Sequence, residues 1–75
     1  MEQFRSLTAV IEQDDDVYVA LCPELDIASQ GSTVEQARAN LVEALTLFFE
    51  TAGHDEIRRR ERSRVFVTQV EVPVG

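Results

Sequence analysis

Only one stretch of this sequence carries an apolar stripe at helical spacing, and that limits how a core can be built. Val34, Ala37, Leu41, Leu45, Phe48 and Ala52 recur three and four residues apart, which draws one apolar face along a helix. Ser32 or Thr33 stands ahead of it as an N-cap, and each has Glu35 or Gln36 three residues on, the spacing of a capping box. Gly53 stands where a left-handed residue closes a helix. Such a helix of some 20 residues would be about 30 Å long. One helix covers one face of a sheet, so the remaining residues have to supply the strands.

They carry that pattern. Phe4 to Glu12 reads as a first strand, with Leu7, Ala9 and Ile11 alternating with Thr8, Val10 and Glu12. Gln13 to Asp16 break the alternation, and three successive aspartates suit a turn. Val17 to Cys22 resumes as a strand rich in Val and Tyr, which makes a hairpin. Pro23 has no N–H to give a ladder and ends that strand. Leu25, Ile27 and Ser29 suggest a short third strand closed by Gly31. After the helix, residues 54–64 are polar and rich in arginine, a short helix or a loop. Val65 to Val72 is a final strand dense in valine, and Pro73 and Gly75 follow. The expected order is β-β-β-α-β, a single α+β domain over residues 1–75 with one long helix on one face of the sheet. The last strand either joins its own sheet beside and parallel to the first, through a right-handed crossover, or pairs with a second chain.

Composition narrows the function classes. The chain has 75 residues, and a domain of that size buries only about 60% of the surface of its unfolded chain. Cys22 is the only cysteine, so no disulfide forms within the chain, and with His54 the only histidine a four-ligand zinc site has too few donors. No cofactor is expected. Oligomerisation or partner binding is what remains to stabilise it. The lone thiol, the absence of a signal-like start and the absence of a long apolar segment point to the cytoplasm and away from the membrane. Residues 1–56 hold 12 acids against Arg5 and Arg38, a balance of −10, while 57–75 are at +3. An acidic body argues against nucleic acid as the main partner and for a basic protein. Apolar residues also exceed what one core uses. Both sides of the second strand are largely apolar, and Val42, Leu47 and Phe49 lie off the helix stripe. Contiguous surplus of this kind marks an interaction site, and Tyr18, Val42, Phe49, Phe66 and Val70 are the candidates for contacts between copies in a homo-oligomer.

One family resemblance fits this frame. Val10-Ile11-Glu12, then Tyr18-Val19-Ala20-Leu21-Cys22-Pro23-Glu24-Leu25-Asp26-Ile27-Ala28-Ser29-Gln30-Gly31, then Thr33-Val34-Glu35-Gln36-Ala37 and Asn40-Leu41-Val42-Glu43-Ala44-Leu45 form a long, ordered pattern. It resembles the HicB antitoxin family over roughly residues 8–50. The resemblance implies a partial RNase H-like sheet, assembly as dimers or larger oligomers, and a HicA-like partner: a small basic toxin that cleaves mRNA and whose active site the antitoxin covers. Many members also carry a C-terminal DNA-binding domain. After Val72 there is no sequence for one here, so DNA binding and autorepression are not carried over. The expected function is masking of a HicA-like toxin, without catalysis; the alternative is an orphan homo-oligomeric scaffold.

Candidate site residues each have a plainer alternative. The RNase H-like fold that the resemblance implies invites a carboxylate metal site at Asp14, Asp15 and Asp16, but successive turn residues diverge, so a solvated turn or a charged contact for a basic partner is preferred. Glu24 and Asp26 either meet the toxin or cap backbone donors around a packed Leu25. Gly31 is expected to supply backbone angles that other residues resist. Cys22 reads as a buried, inert thiol. His54 reads as a cation at a helix C-terminus, favoured by the dipole. Arg58, Arg59, Arg60, Arg62 and Arg64 are the only basic cluster, read as solvated surface, with pairing to a neighbouring subunit's acidic helix preferred over nucleic-acid contact.

Overall fold

The computed structural model describes residues 4–61 and 64–75. Its sheet has three antiparallel strands in the order β1-β2-β3: β1 is Val10–Asp14, β2 is Val17–Cys22 and β3 is Ile27–Gly31. Asp14 pairs with Val17, so Asp15 and Asp16 alone turn the first hairpin. A two-residue turn needs positive φ, and Asp15 supplies it at 56°, in a region Asp tolerates better than most residues. The first strand begins later than its alternation suggests. Residues 4–9 are not in the ladder: in this register Ala9 would face Cys22, the last residue of β2, and Phe4 to Thr8 have no strand beside them.

Register sets the two faces of the sheet. Ile11, Ala20 and Ser29 lie abreast, as do Tyr18 and Gly31, and Cys22 and Ile27; this is the face that meets the helices. The core is Ala20, Cys22, Leu25, Ala37 and Leu41, with Leu7, Ile11, Tyr18, Ile27, Leu45, Phe48 and Phe49 packed around it.

Helix α1, Val34–Thr51, is the expected long helix. Thr33 is its N-cap, and its Oγ1 accepts from Gln36 N at 3.0 Å. The reciprocal half of the box goes one residue further back: Gln36 Oε1 accepts from Ser32 N at 2.6 Å and from Ser32 Oγ at 2.8 Å. Two turn residues are thus held to the first turn of α1.

Gly31 has a different role from the one expected. Its φ is not in the left-handed region; instead a Cβ there would stand 2.6 Å from Ala37 N and 2.9 Å from Gln36 C. The residue is glycine because the end of β3 touches helix backbone. Gly53 also departs from expectation. It does not close α1 in a left-handed conformation. Ala52 ends the helix at φ −76°, ψ 144°, its N–H bonded to Phe48 O at 2.8 Å. A second helix follows at once: α2 is His54–Glu61, and Gly53 O accepts its first hydrogen bond from Ile57 N at 3.1 Å. Gly53 is therefore the N-cap of α2, a position glycine fills well. His54 opens α2, so it stands at the start of one helix as much as at the end of another, and the dipole argument no longer distinguishes it.

The expected final strand takes no place in this sheet. Among the described residues, 64–75 have no ladder partner, and the β1 edge, beside which the crossover was to bring them, is not occupied. The α+β class stands: three antiparallel strands, one long helix and one short one.

Candidate functional site

The two acidic clusters occupy opposite ends of β2. Asp14, Asp15 and Asp16 make the β1–β2 turn, while Glu24 and Asp26 lie in the β2–β3 turn. The six residues of β2 separate them by about 20 Å at the rise of a strand. They do not form one site. Among the described residues, no group of three His, Cys, Asp or Glu side chains could hold a metal ion.

Glu24 is engaged inside the molecule. Its carboxylate accepts from Thr8 N at 3.0 Å, from Thr8 Oγ1 at 2.8 Å and from Cys22 Sγ at 3.6 Å. Burial pushes its pKa up, but the hydrogen bonds from Thr8, from its own backbone N–H and from Cys22 outweigh burial and hold it below the usual range. This anchors residues 4–9, which have no ladder, to the β2–β3 turn. Cys22 is fully buried, and desolvation first, then the neighbouring Glu24 charge, pushes its thiol up against the lowering effect of the Leu25 backbone. Leu25 packs in the core, while Asp26 is exposed with φ 55°.

The arginine segment is partly a brace. Arg60 donates from Nη1 to Leu25 O and from Nη2 to Glu56 Oε1 at 3.3 Å, and its guanidinium lies 5.1 Å from the Phe48 ring centroid. Arg58 pairs with Asp55 at 2.6 Å on the exposed side of α2. Between α2 and the β2–β3 turn lies an open depression of about 430 Å³, lined by Pro23, Glu24, Asp26, Glu56, Arg59 and Arg60 among others. Its lining mixes both charge signs. Arg62 lies outside the described residues.

The expected contacts between copies divide into two groups. Tyr18 and Phe49 pack on the core, and Phe49 also meets Phe48 edge to face and lies 5.3 Å from the Arg5 guanidinium. Val42, Phe66 and Val70 are exposed, at 50%, 85% and 78%. The sequence pattern shows the apolar far side of β2 but not its neighbours. Register places Val10, Leu21 and Ala28 abreast on the face away from α1, with Val19 and Val17 further along it. Glu12 lies beside Val19 and Asp14 beside Val17, so this apolar face runs toward the acidic hairpin tip. The signal lies in the strand pairing, which relates Val10 to Leu21 and, through it, to Ala28, 18 positions away in sequence.

A three-stranded antiparallel sheet packed on one side by a long helix, with a face away from that helix that is apolar at its centre and acidic at one end, defines a small α+β domain. No family model matches the chain, and no solved structure matches it. It is 39% identical over 67 residues to a UPF0150 protein of Thermotoga maritima, covering 85% of this chain and 88% of that one. It is 31% identical to a UPF0150 protein of Helicobacter pylori, over 88% of this chain and 93% of the relative. A UPF0150 protein of Synechocystis is 46% identical over 71% of this chain and 75% of its own length. The chain belongs to the UPF0150 family. Among the described residues, no helix is long and apolar enough to cross a membrane.

Proposed function

We propose that this chain is an antitoxin-like binding module that masks a small, basic, RNA-cleaving toxin of the HicA type. The observation that carries the proposal is the uncovered sheet face, apolar across Val10, Leu21 and Ala28 and bordered by Glu12 and the Asp14–Asp16 tip. An RNA-cleaving protein needs a positive surface for its substrate. An apolar patch with an acidic end fits such a surface, and the charge steers the encounter as well as holding the complex. The ordered resemblance of residues 8–50 to HicB antitoxins supports the same partner. Masking requires no catalytic group on this chain. Of the expected contact residues, Asp14, Asp15 and Asp16 belong to this surface. Asp26 lies at the other end of β2, and Glu24 supports the fold from within.

The test is inhibition. A HicA-like toxin that copurifies with the tagged chain should lose its RNA cleavage at one equivalent of chain, and regain it when salt separates the two. A second reading, an orphan homo-oligomer in the cytoplasm, is favoured by the exposed valines of residues 64–75; it requires only self-association and no toxin.

A further inference from the structure

We propose that residues 64–75 are exchanged between two copies of this chain, each arm adding as a fourth strand to the β1 edge of the other's sheet. The arm has the composition of a strand without the ladder of one. Phe66, Thr68, Val70, Val72 and Val74 fall on one side at the period of two, and Val65, Val67, Gln69 and Glu71 on the other. In the single chain the side chains from Phe66 onward meet water: Phe66 is 85% exposed, Val70 78% and Val74 91%. The shape agrees. The radius of gyration is 14.6 Å with a longest dimension of 51 Å, where a compact chain of this length has about 11 Å. A lone extended segment has no stability of its own in water, so its backbone and its valines need a partner.

The sheet offers one edge that suits it. At the β3 edge, α1 already reaches over: Asn40 Nδ2 donates to Gln30 O at 2.8 Å, and α1 packs mainly on β3 and β2. At the β1 edge, no backbone hydrogen bond from another described segment reaches Val10–Asp14 on the side away from β2. The arm leaves the body at the end of the sheet where β1 is entered: Arg64, Val65 and Phe66 share a depression with Arg5, Ser6 and Leu7, which lead toward β1, and with Glu24 and Leu25 of the β2–β3 turn. Two copies related by a two-fold axis through their β1 sides would therefore exchange arms reciprocally, which is the closed arrangement such contacts favour. The second copy is chosen over an unrelated strand because the chain carries both halves of the contact. The inference stands apart from the toxin reading, since it concerns only copies of this chain.

The experiment uses the full chain. Sedimentation equilibrium should give a species of two 8.5 kDa chains. Isotope-labelled and unlabelled chains, mixed, unfolded and refolded together, should show nuclear Overhauser contacts between Val70 or Val72 of one chain and Ile11 or Glu12 of the other. Successive N–H groups point to opposite sides of a strand, so one of Gln69→Pro and Val70→Pro removes a ladder N–H, and that one should raise the dimer dissociation constant by more than about tenfold. A monomer, a dimer whose arm touches no β1 strand, contacts confined within one chain, or a constant unchanged in both variants would each overturn the proposal. The contacts in the unsubstituted chain decide the matter even if a variant does not fold.

Discussion

Arg60 donates a hydrogen bond to the carbonyl oxygen of Leu25, 35 residues away in sequence, and so ties α2 to the turn between β2 and β3. Leu25 is in the core, and the Arg60 guanidinium also lies over Phe48. Without this brace, the short and strongly polar α2 has little to hold it, since isolated helices of its length do not persist in water. Arg60→Ala should cost about 1–2 kcal/mol of stability in urea titration, because it removes a charged donor and the cation over the Phe48 ring together. Hydrogen exchange should speed up over 54–61 and much less over α1.

Gly31 provides a sharper steric test. Gly31→Ala places a methyl carbon against the Ala37 amide and the Gln36 carbonyl carbon, neither of which can swing away as a side-chain tip could. Overpacking of this type costs about 1–3 kcal/mol. At Gly53 a Cβ meets nothing within 4 Å and φ is ordinary, so Gly53→Ala overpacks nothing and loses only the advantage of glycine over alanine at the α2 N-cap, about 0.5 kcal/mol. Thermal melts of the two variants side by side check the contrast.

Glu24 makes the fold sensitive to acid. Its folded-state pKa is lowered, so its contribution is fully present above the unfolded value of about 4.3 and is lost as pH falls through the lower folded value. Stability should therefore drop on acidification across that window. Glu24→Gln should be less stable than the parent at neutral pH and flatter below pH ~4.3, read by urea midpoints at several pH values.

The acidic tip should act on rate more than on fold. Asp14→Asn, Asp15→Asn and Asp16→Asn together remove three exposed charges. On the proposed function they should slow association with a basic toxin by about tenfold at low salt, with the difference shrinking as salt screens it. Stopped-flow binding measures the rate, and an unchanged melting temperature separates it from unfolding.

The local signals in the sequence are strong where period and cap agree. The hairpin around Asp15, the strand Val17–Cys22 and the capped stripe from Val34 are each set by neighbours a few residues apart. Long-range relations are not legible in the same way. Thr8 gives no sign in sequence that it will hold Glu24 in place of a ladder, nor Arg60 that it will reach Leu25. Gly53 illustrates a conflict of local rules: a glycine after an apolar stripe fits a helix end, and it fits a new helix start equally well. For the candidate surface, alternation shows that both sides of β2 are apolar. Only the register brings Val10 and Ala28 beside Leu21.

The most direct test of the binding function is a tagged pull-down from the native host, mass spectrometry of the small proteins retained, and an RNA-cleavage assay on the one found. The account predicts a stoichiometric basic protein that cleaves RNA alone and is silenced by one equivalent of this chain. An eluate holding only copies of the chain, or a captured protein whose RNA cleavage the chain leaves unchanged, would contradict it.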